Sequence, residues 1–317
     1  MSGKNLTIQH KRGTVGERFR QLFAHNWQLY VLLLPGLIWV IVFMYAPIYG
    51  ASIAFKHFNP SLGIMGSPWA GFTYFEQFFS TRIAMDIIRN TLFLSFYNLI
   101  IGFPIPIIFA LLLNQLTMPR FRKAIQTISY APFFLSNVVV VSVMMVIFAP
   151  GSGFVNVFLQ NVFGMEPRIF MARPEYFRMM FVGSGIWQTM GFSAIIYIAA
   201  LAGVSPEYHE AAIVDGASKL KRIIHIDLPT IMPTIVIMFI LAIGNIMSIG
   251  WEKAFLMQSG MNLSVSEIIS TYVYKTGLLN AQFSFATAVG LFNSSVNFIL
   301  LLIANALVRR FSDISIF

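Results

Sequence analysis

The stretch Glu210-Ala211-Ala212-Ile213-Val214-Asp215-Gly216, continued by Ile226-Asp227-Leu228-Pro229, lies between two long apolar segments and decides how the chain is read. Seven identities hold a fixed spacing: Glu-Ala-Ala, three residues, Gly, nine residues, Ile, one residue, Leu-Pro. At an average usage of roughly 5–10% per residue type, chance produces such a pattern on the order of once per hundred million starting positions.

The residues around the pattern predict its local structure. Ser205-Pro206-Glu207 offers a capping hydroxyl, a proline suited to the first helical position and a carboxylate in the first turn. A helix of about ten residues, about 15 Å long, is expected from there through Val214. Gly216 would end it by taking the left-handed conformation. Ala211 and Ala212 leave a low-relief face against which another protein can pack, and Glu210 can accept a charge-assisted hydrogen bond from a partner arginine. Asp215 sits at the unfavourable end of this helix dipole. It either caps the next helix together with Ser218 or meets a partner. Lys219 to His225 form a return segment, which Leu228-Pro229 is expected to stop at the membrane surface.

Composition places the chain in a bilayer. Of its 317 residues 57% are apolar and 10% charged, and mean hydropathy is +0.74, whereas soluble domains carry roughly 25% charge. Six apolar runs, at 28–49, 91–113, 125–149, 179–203, 230–250 and 284–308, are long enough to cross about 30 Å of hydrocarbon, and none contains Asp, Glu, Lys, Arg or His. They lack the alternation of barrel strands, so they are expected to be helices that satisfy their own backbone groups. The expected organisation is a tail at 1–27, a transmembrane domain at 28–308 containing the motif loop 204–229, and a tail at 309–317.

Lys and Arg set the orientation, because they are retained on the cytoplasmic side of nearby spans. With the N-terminus inside, the inner pieces hold 13 of the 21 basic residues in about 72 positions, among them Arg120, Arg122, Lys123, Lys219, Lys221 and Arg222. The outer pieces hold 8 in about 102 positions, so both termini and the motif loop are expected in the cytoplasm. The net charge of +9 then reads as topology and contact with anionic lipid. No basic surface interleaved with aromatics accompanies it, so nucleic acid is not an expected partner. The first run exceeds a signal h-region and is read as a retained anchor. Val15, Phe19, Leu22 and Phe23 recur at helical spacing before it, which suits a short amphipathic helix on the inner leaflet. Aromatic density over 50–89, including Trp69, Phe72 and Phe78, suits a headgroup belt.

Several chemistries are disfavoured. Zero cysteines remove disulfides and thiolate metal sites, and the five histidines show no metal-ligand spacing, so no metal and no catalytic residue is expected. There is no Gly-x-x-x-x-Gly-Lys-[Ser/Thr] loop to cradle a phosphate. No acidic residue or histidine lies within the apolar runs, which weakens an ion-coupled carrier.

With these residues in view, the chain resembles the transmembrane subunit of a bacterial ATP-binding-cassette importer, whose cytoplasmic EAA loop shows this pattern. Glu210, Ala211, Ala212, Gly216, Ile226, Leu228 and Pro229 agree with it, as does the variant Asp215-Gly216-Ala217. Arg89-Asn90-Thr91-Leu92, Leu111 to Asn114 and Gln126 to Pro132 are similar to maltose-type carbohydrate permeases, nearest to the branch that imports oligosaccharides and polysaccharide fragments. The resemblance implies an all-α integral membrane protein of six transmembrane helices with the type I importer (MetI-like) architecture, in the bacterial cytoplasmic membrane. It implies that Glu210, Ala211, Ala212, Asp215, Gly216, Ile226, Leu228 and Pro229 couple the ATPase without performing chemistry. The chain itself then binds no cofactor, and ATP and Mg belong to two partner ATPase subunits. A second, homologous permease would complete a heterodimer, and an extracytoplasmic solute-binding protein would deliver the oligosaccharide.

The same resemblance implies substrate contacts five and six turns upstream of the motif glutamate, at Phe192 and Gln188, with Trp187 adjoining. Beyond the loop it implies contacts near Asn245, Ser248, Trp251 and Glu252. Any of the polar residues among these could instead bond between helices. Asn293 and Asn297, four apart on the last run, are read as packing residues. The rival readings are an importer of the same architecture for a peptide or polyamine, an ion-coupled carrier acting alone, and a membrane scaffold without transport.

Overall fold

The protein is described here from a computed structural model covering residues 27–311. The expected amphipathic stretch at Val15 to Phe23 and the residues 312–317 of the C-terminal tail lie outside the described residues. The described residues form two compact units, one ending at Ser52 and one beginning at Ile53. In the first, the helix Trp27–Val40 passes into a wider turn at Ile41–Tyr45, and Ser52 Oγ donates to the Tyr49 carbonyl at 2.7 Å.

The described residues are helical apart from loops and one isolated antiparallel bridge, Lys56 to Trp69. Among the described residues five helices are long and apolar enough to cross a membrane: span 1 Trp27–Phe55, span 2 Arg82–Asn114, span 4 Pro174–Leu201, span 5 Lys219–Gly244 and span 6 Phe283–Arg310. The pair Pro119–Phe134 and Asn137–Ile147, here span 3, makes six if counted as one span. In spans 2, 4, 5 and 6 only 17–28% of the apolar window is buried, as expected for helices whose outer faces meet lipid, where apolar exposure carries no penalty.

The helices differ from the apolar runs in several places. Spans 2 and 4 start several residues earlier, at Arg82 and Pro174, because polar first turns continue the helix beyond the hydrocarbon-matched stretch. Span 3 is not straight: its two helices meet at 101°. Pro132 lies in the tight turn Ala131–Phe134, and Ser136 restarts the helix as an N-cap, accepting from Val139 N at 3.3 Å. Span 5 ends at Gly244 rather than 250. Its last turn is followed by a loop held by two neighbouring spans: Asn297 Oδ1 accepts from Met247 N at 2.9 Å, and the Ser95 hydroxyl donates to the Ile246 carbonyl. Asn297 is thus a buried packing residue, as expected.

Three apolar clusters fill the second unit. Val140, Val141 and Met144 of span 3 pack with Phe177, Met180 and Phe181 of span 4 and with Ala254 and Met257. Phe78 and Ile87 pack with Met247, Ile269, Phe285 and Val289, so Phe78 belongs to the core and not to a headgroup belt, while Trp69 and Phe72 are exposed. Ile107, Ala110 and Leu111 of span 2 pack with Ala194, Tyr197 and Leu201 of span 4 and with Ile231 of span 5. The third cluster lies directly beside the motif loop. Spans 3 and 4 approach closely where Gly191 faces Ser129: a Cβ there would lie 2.2 Å from the Ser129 carbonyl oxygen, a contact no side chain survives.

Candidate functional site: motif loop and adjoining cavity

The motif loop folds as a helix, a tight reversal and a return helix. Pro206 occupies the first turn of Pro206–Val214, where its missing N–H costs nothing. Ser205 stands at the N-cap, but its hydroxyl makes no capping bond, which corrects that part of the sequence reading. Gly216 reverses the chain with φ of +74°, the left-handed region in which glycine alone is unstrained. The N–H of Ala217 closes the turn on the Ala212 carbonyl at 2.8 Å. Ser218 caps the return helix by accepting from Lys221 N at 3.4 Å, without Asp215, which is exposed.

Leu228-Pro229 does not stop the return segment. The chain runs from Lys219 through Gly244 as one helical span, because the five residues Ile223–Asp227 form a widened turn. Its closing bond, from Leu228 N–H to the Ile223 carbonyl, reaches five residues back, and this widening accommodates a proline ring that would otherwise press on the preceding turn.

The two faces of the motif helix have different surroundings. Glu210, Ala211, Ile213 and Val214 are exposed, with Val214 at 87%, and Glu210 has no hydrogen-bond or ion-pair partner among the described residues. His209 and Ala212 face inward and are half-buried. His209 Nε2 lies 3.1 Å from Asp227 Oδ1, and Asp227 is fully buried. Gln115 Nε2 donates to the other carboxylate oxygen at 2.8 Å, and Asn114 Nδ2 approaches Oδ1 at 3.4 Å. Asp227 therefore joins the motif helix to the end of span 2. Sequence reasoning named the flanking Ile226, Leu228 and Pro229 and gave Asp227 no role. A carboxylate between apolar residues at the start of an apolar span was a signal that it needed a partner.

Beyond this junction, spans 2, 4 and 5 surround a cavity of about 890 Å³. Of the residues expected in a substrate path, Phe192, Asn245 and Ser248 line it, while Trp187, Gln188, Trp251 and Glu252 do not. Phe192 stacks on Phe133 with ring centroids 3.8 Å apart. Gln188 is buried and donates to the Leu135 carbonyl at 2.9 Å, holding the bend of span 3. Glu252 accepts from Asn137 Nδ2 at 2.6 Å, and Trp251 stacks on Tyr274 with centroids 4.6 Å apart. The polar wall is completed by Ser95, Asn98, Thr189 and Ser193. Ser95, Asn98 and Gly102 recur at three and four residues along one face of span 2, a periodicity visible in the sequence. Among the described residues no group of three or more His, Cys, Asp or Glu could hold a metal ion.

One cation stands apart. Lys253, in the short helix Trp251–Leu256 after span 5, is 6% exposed and donates to the Phe181 carbonyl at 3.1 Å above the Phe181 ring. Burial pushes its pKa down to about 8.

Comparison with known proteins agrees with this architecture. Protein LplB of Bacillus subtilis (strain 168) is 41% identical over 289 residues, covering 91% of each chain. The polygalacturonan/rhamnogalacturonan transport system permease protein YteP of the same organism is 41% identical over 289 residues, covering 91% of this chain and 90% of that one. In the crystal structure of a bacterial alginate ABC transporter in complex with an alginate pentasaccharide-bound periplasmic protein, one chain superposes with a TM-score of 0.86. That chain is 36% identical, and the match covers 94% of this chain and 100% of that one. Residues 102–313, which begin in the cavity-lining part of span 2 and include span 6, match a family defined by its membrane subunits, and the chain belongs to that family, the binding-protein-dependent transport system inner membrane components.

Proposed function

We propose that this chain is the transmembrane permease subunit of an ATP-driven importer that moves an oligosaccharide or polysaccharide fragment across the cytoplasmic membrane. The observation that carries the reading is the motif helix itself: its Glu210, Ala211, Ile213 and Val214 face is exposed and has no partner among the described residues, while its other face is fastened to the spans around the cavity. Such a helix suits a protein that receives a mechanical signal and passes it to a pathway. YteP, named as a polygalacturonan/rhamnogalacturonan transport permease, and the alginate transporter chain support a saccharide cargo.

In this reading the loop 204–229 is the coupling loop and faces the cytoplasm, as do both termini. Glu210, Ala211, Ala212, Asp215, Gly216, Ile226, Leu228 and Pro229 build or present the docking face, and two partner ATPases bind and hydrolyse ATP with Mg. A second, homologous permease supplies the other half of the pathway, and an extracytoplasmic binding protein supplies substrate. Phe192, Asn245 and Ser248, with Ser95, Asn98, Thr189 and Ser193, offer a ring and hydrogen-bonding groups to a sugar. Gln188, Trp251 and Glu252 act as framework around that wall. Reconstitution with the partner subunits tests the reading. Uptake of an oligogalacturonate that needs ATP and persists without an ion gradient is expected; uptake that follows the gradient and ignores ATP would refute it.

A further inference from the structure

Resting on the importer reading, we propose that Asp227 is a positioning residue for energy coupling: its carboxylate clasps the motif helix to span 2, so that movement imposed on the helix is delivered to a wall of the cavity.

Chain connectivity ties the motif helix to span 4, which precedes it, and to span 5, which follows it, but not to span 2. Asp227 closes that gap. It is fully buried on the widened turn of span 5, and it is held from one side by His209 of the motif helix and from the other by Asn114 and Gln115 at the end of span 2. Residues 113 and 112 positions apart in sequence therefore meet on one carboxylate.

Two further features fit transmission better than passive stability. The widened turn re-aims the residue at its end, and such turns, uncommon in helices, recur at functional positions. Span 2 carries a widened turn too, Asn98–Gly102, and both of its end residues line the cavity. At that turn a Cβ on Gly102 would lie 2.8 Å from Asn98 Oδ1, so the Asn98 amide is held against the backbone and follows any shift of the helix. A buried carboxylate with several donors is also a stiff joint, because moving one donor away leaves charge without compensation. His209 directly precedes Glu210, about 100° around the same turn, so the half-buried clasp and the exposed docking glutamate sit side by side on one helix.

The test uses the complete complex in proteoliposomes, with partner permease, ATPases, binding protein and an oligogalacturonate tetrasaccharide as probe. Uptake and ATP hydrolysis are measured together for wild type, Asp227→Asn, His209→Gln and the double variant. Complexes of both single variants are expected to retain the ATPases and hydrolyse ATP, while saccharide moved per ATP falls about tenfold, the effect of losing one charge-assisted hydrogen bond. The double variant should be no worse than the poorer single variant, because both changes open the same clasp. An unchanged ratio in an intact complex, losses that multiply in the double variant, or loss of bound ATPases in both single variants would each overturn the proposal. His209, only partly buried, keeps the test decisive if Asp227→Asn does not reach the membrane. A wild-type complex that assembles but shows no saccharide-dependent turnover would instead remove the importer reading.

Discussion

The motif loop and the bend of span 3 are both built from polar residues interrupting apolar sequence, yet they use their polar groups in opposite ways. At the bend, Gln188 donates to the Leu135 carbonyl, Ser136 caps the next helix, and Asn137 donates to Glu252. Each group there is spent inside the chain. On the outer face of the motif helix, Glu210 and Asp215 have no partner among the described residues and Val214 is almost wholly exposed. The difference separates residues that hold the fold from residues that await another subunit. Gln188 and Glu252, which the family resemblance placed near the substrate path, do not line the cavity and have polar groups bonded within the chain.

That contrast breaks most visibly at the loop. Gly216→Pro demands φ near −65° where the chain has +74°, so the reversal cannot form and the docking face is lost. Glu210→Lys reverses the charge offered to a partner cation. Both variants should reach the membrane, with saccharide-stimulated ATP turnover falling at least about a hundredfold, since a buried, charge-assisted contact is exchanged for a repulsive one. Assays of the reconstituted complex check this.

A smaller effect is expected from Gln188→Leu. It leaves the Leu135 carbonyl without its donor at the bend, which should cost about 1–3 kcal/mol and lower Tm, while ATPase co-purification persists. Thermal unfolding of the purified complex measures it. If uptake is lost with Tm unchanged, Gln188 belongs to the pathway and the contrast fails at that residue.

Lys253 gives a pH-dependent test. Its pKa is about 8 when folded and 10.5 for an unburied lysine, so between these pH values the unfolded chain binds more protons than the folded one. The burial penalty is therefore fully present below about pH 8 and relieved as pH rises toward 10.5. The wild type should gain stability across that window, and Lys253→Met should lack the gain. At neutral pH the variant should be more stable by about 1–2 kcal/mol, the relieved penalty less the lost bond to the Phe181 carbonyl. Parallel Tm profiles for the two proteins would contradict this.

The mildest change is Asn245→Ala. Its amide donates to the Leu241 carbonyl in the last turn of span 5 at 3.2 Å and borders the cavity, so removal should raise the KM for saccharide uptake about threefold and leave Tm within about 1 °C.

How much of this was visible in the sequence depends on the range of the interaction concerned. Gly216, Pro206 and the apolar runs act through local backbone chemistry, and the helix, its reversal and the spans follow from them. The right-angle bend at Leu135 follows from Pro132 and Ser136 only once Gln188 of span 4 is known to supply the missing donor. The Asp227 junction depends on a widened turn that brings span 2 to span 5. No local pattern encodes such a meeting. The cavity lies between these extremes: Ser95, Asn98 and Gly102 carried a legible stripe, whereas the selection of Asn245 and Ser248 over Trp251 and Glu252 was made by the end of span 5 at Gly244.

Purification of the native protein from membranes, followed by ATP turnover with a saccharide-loaded binding protein, tests the central claim most directly. The expected result is a complex containing an ATPase and a second permease, with turnover raised by the loaded binding protein. A chain that purifies without any ATPase, and whose uptake collapses with the ion gradient while ATP is plentiful, would contradict it.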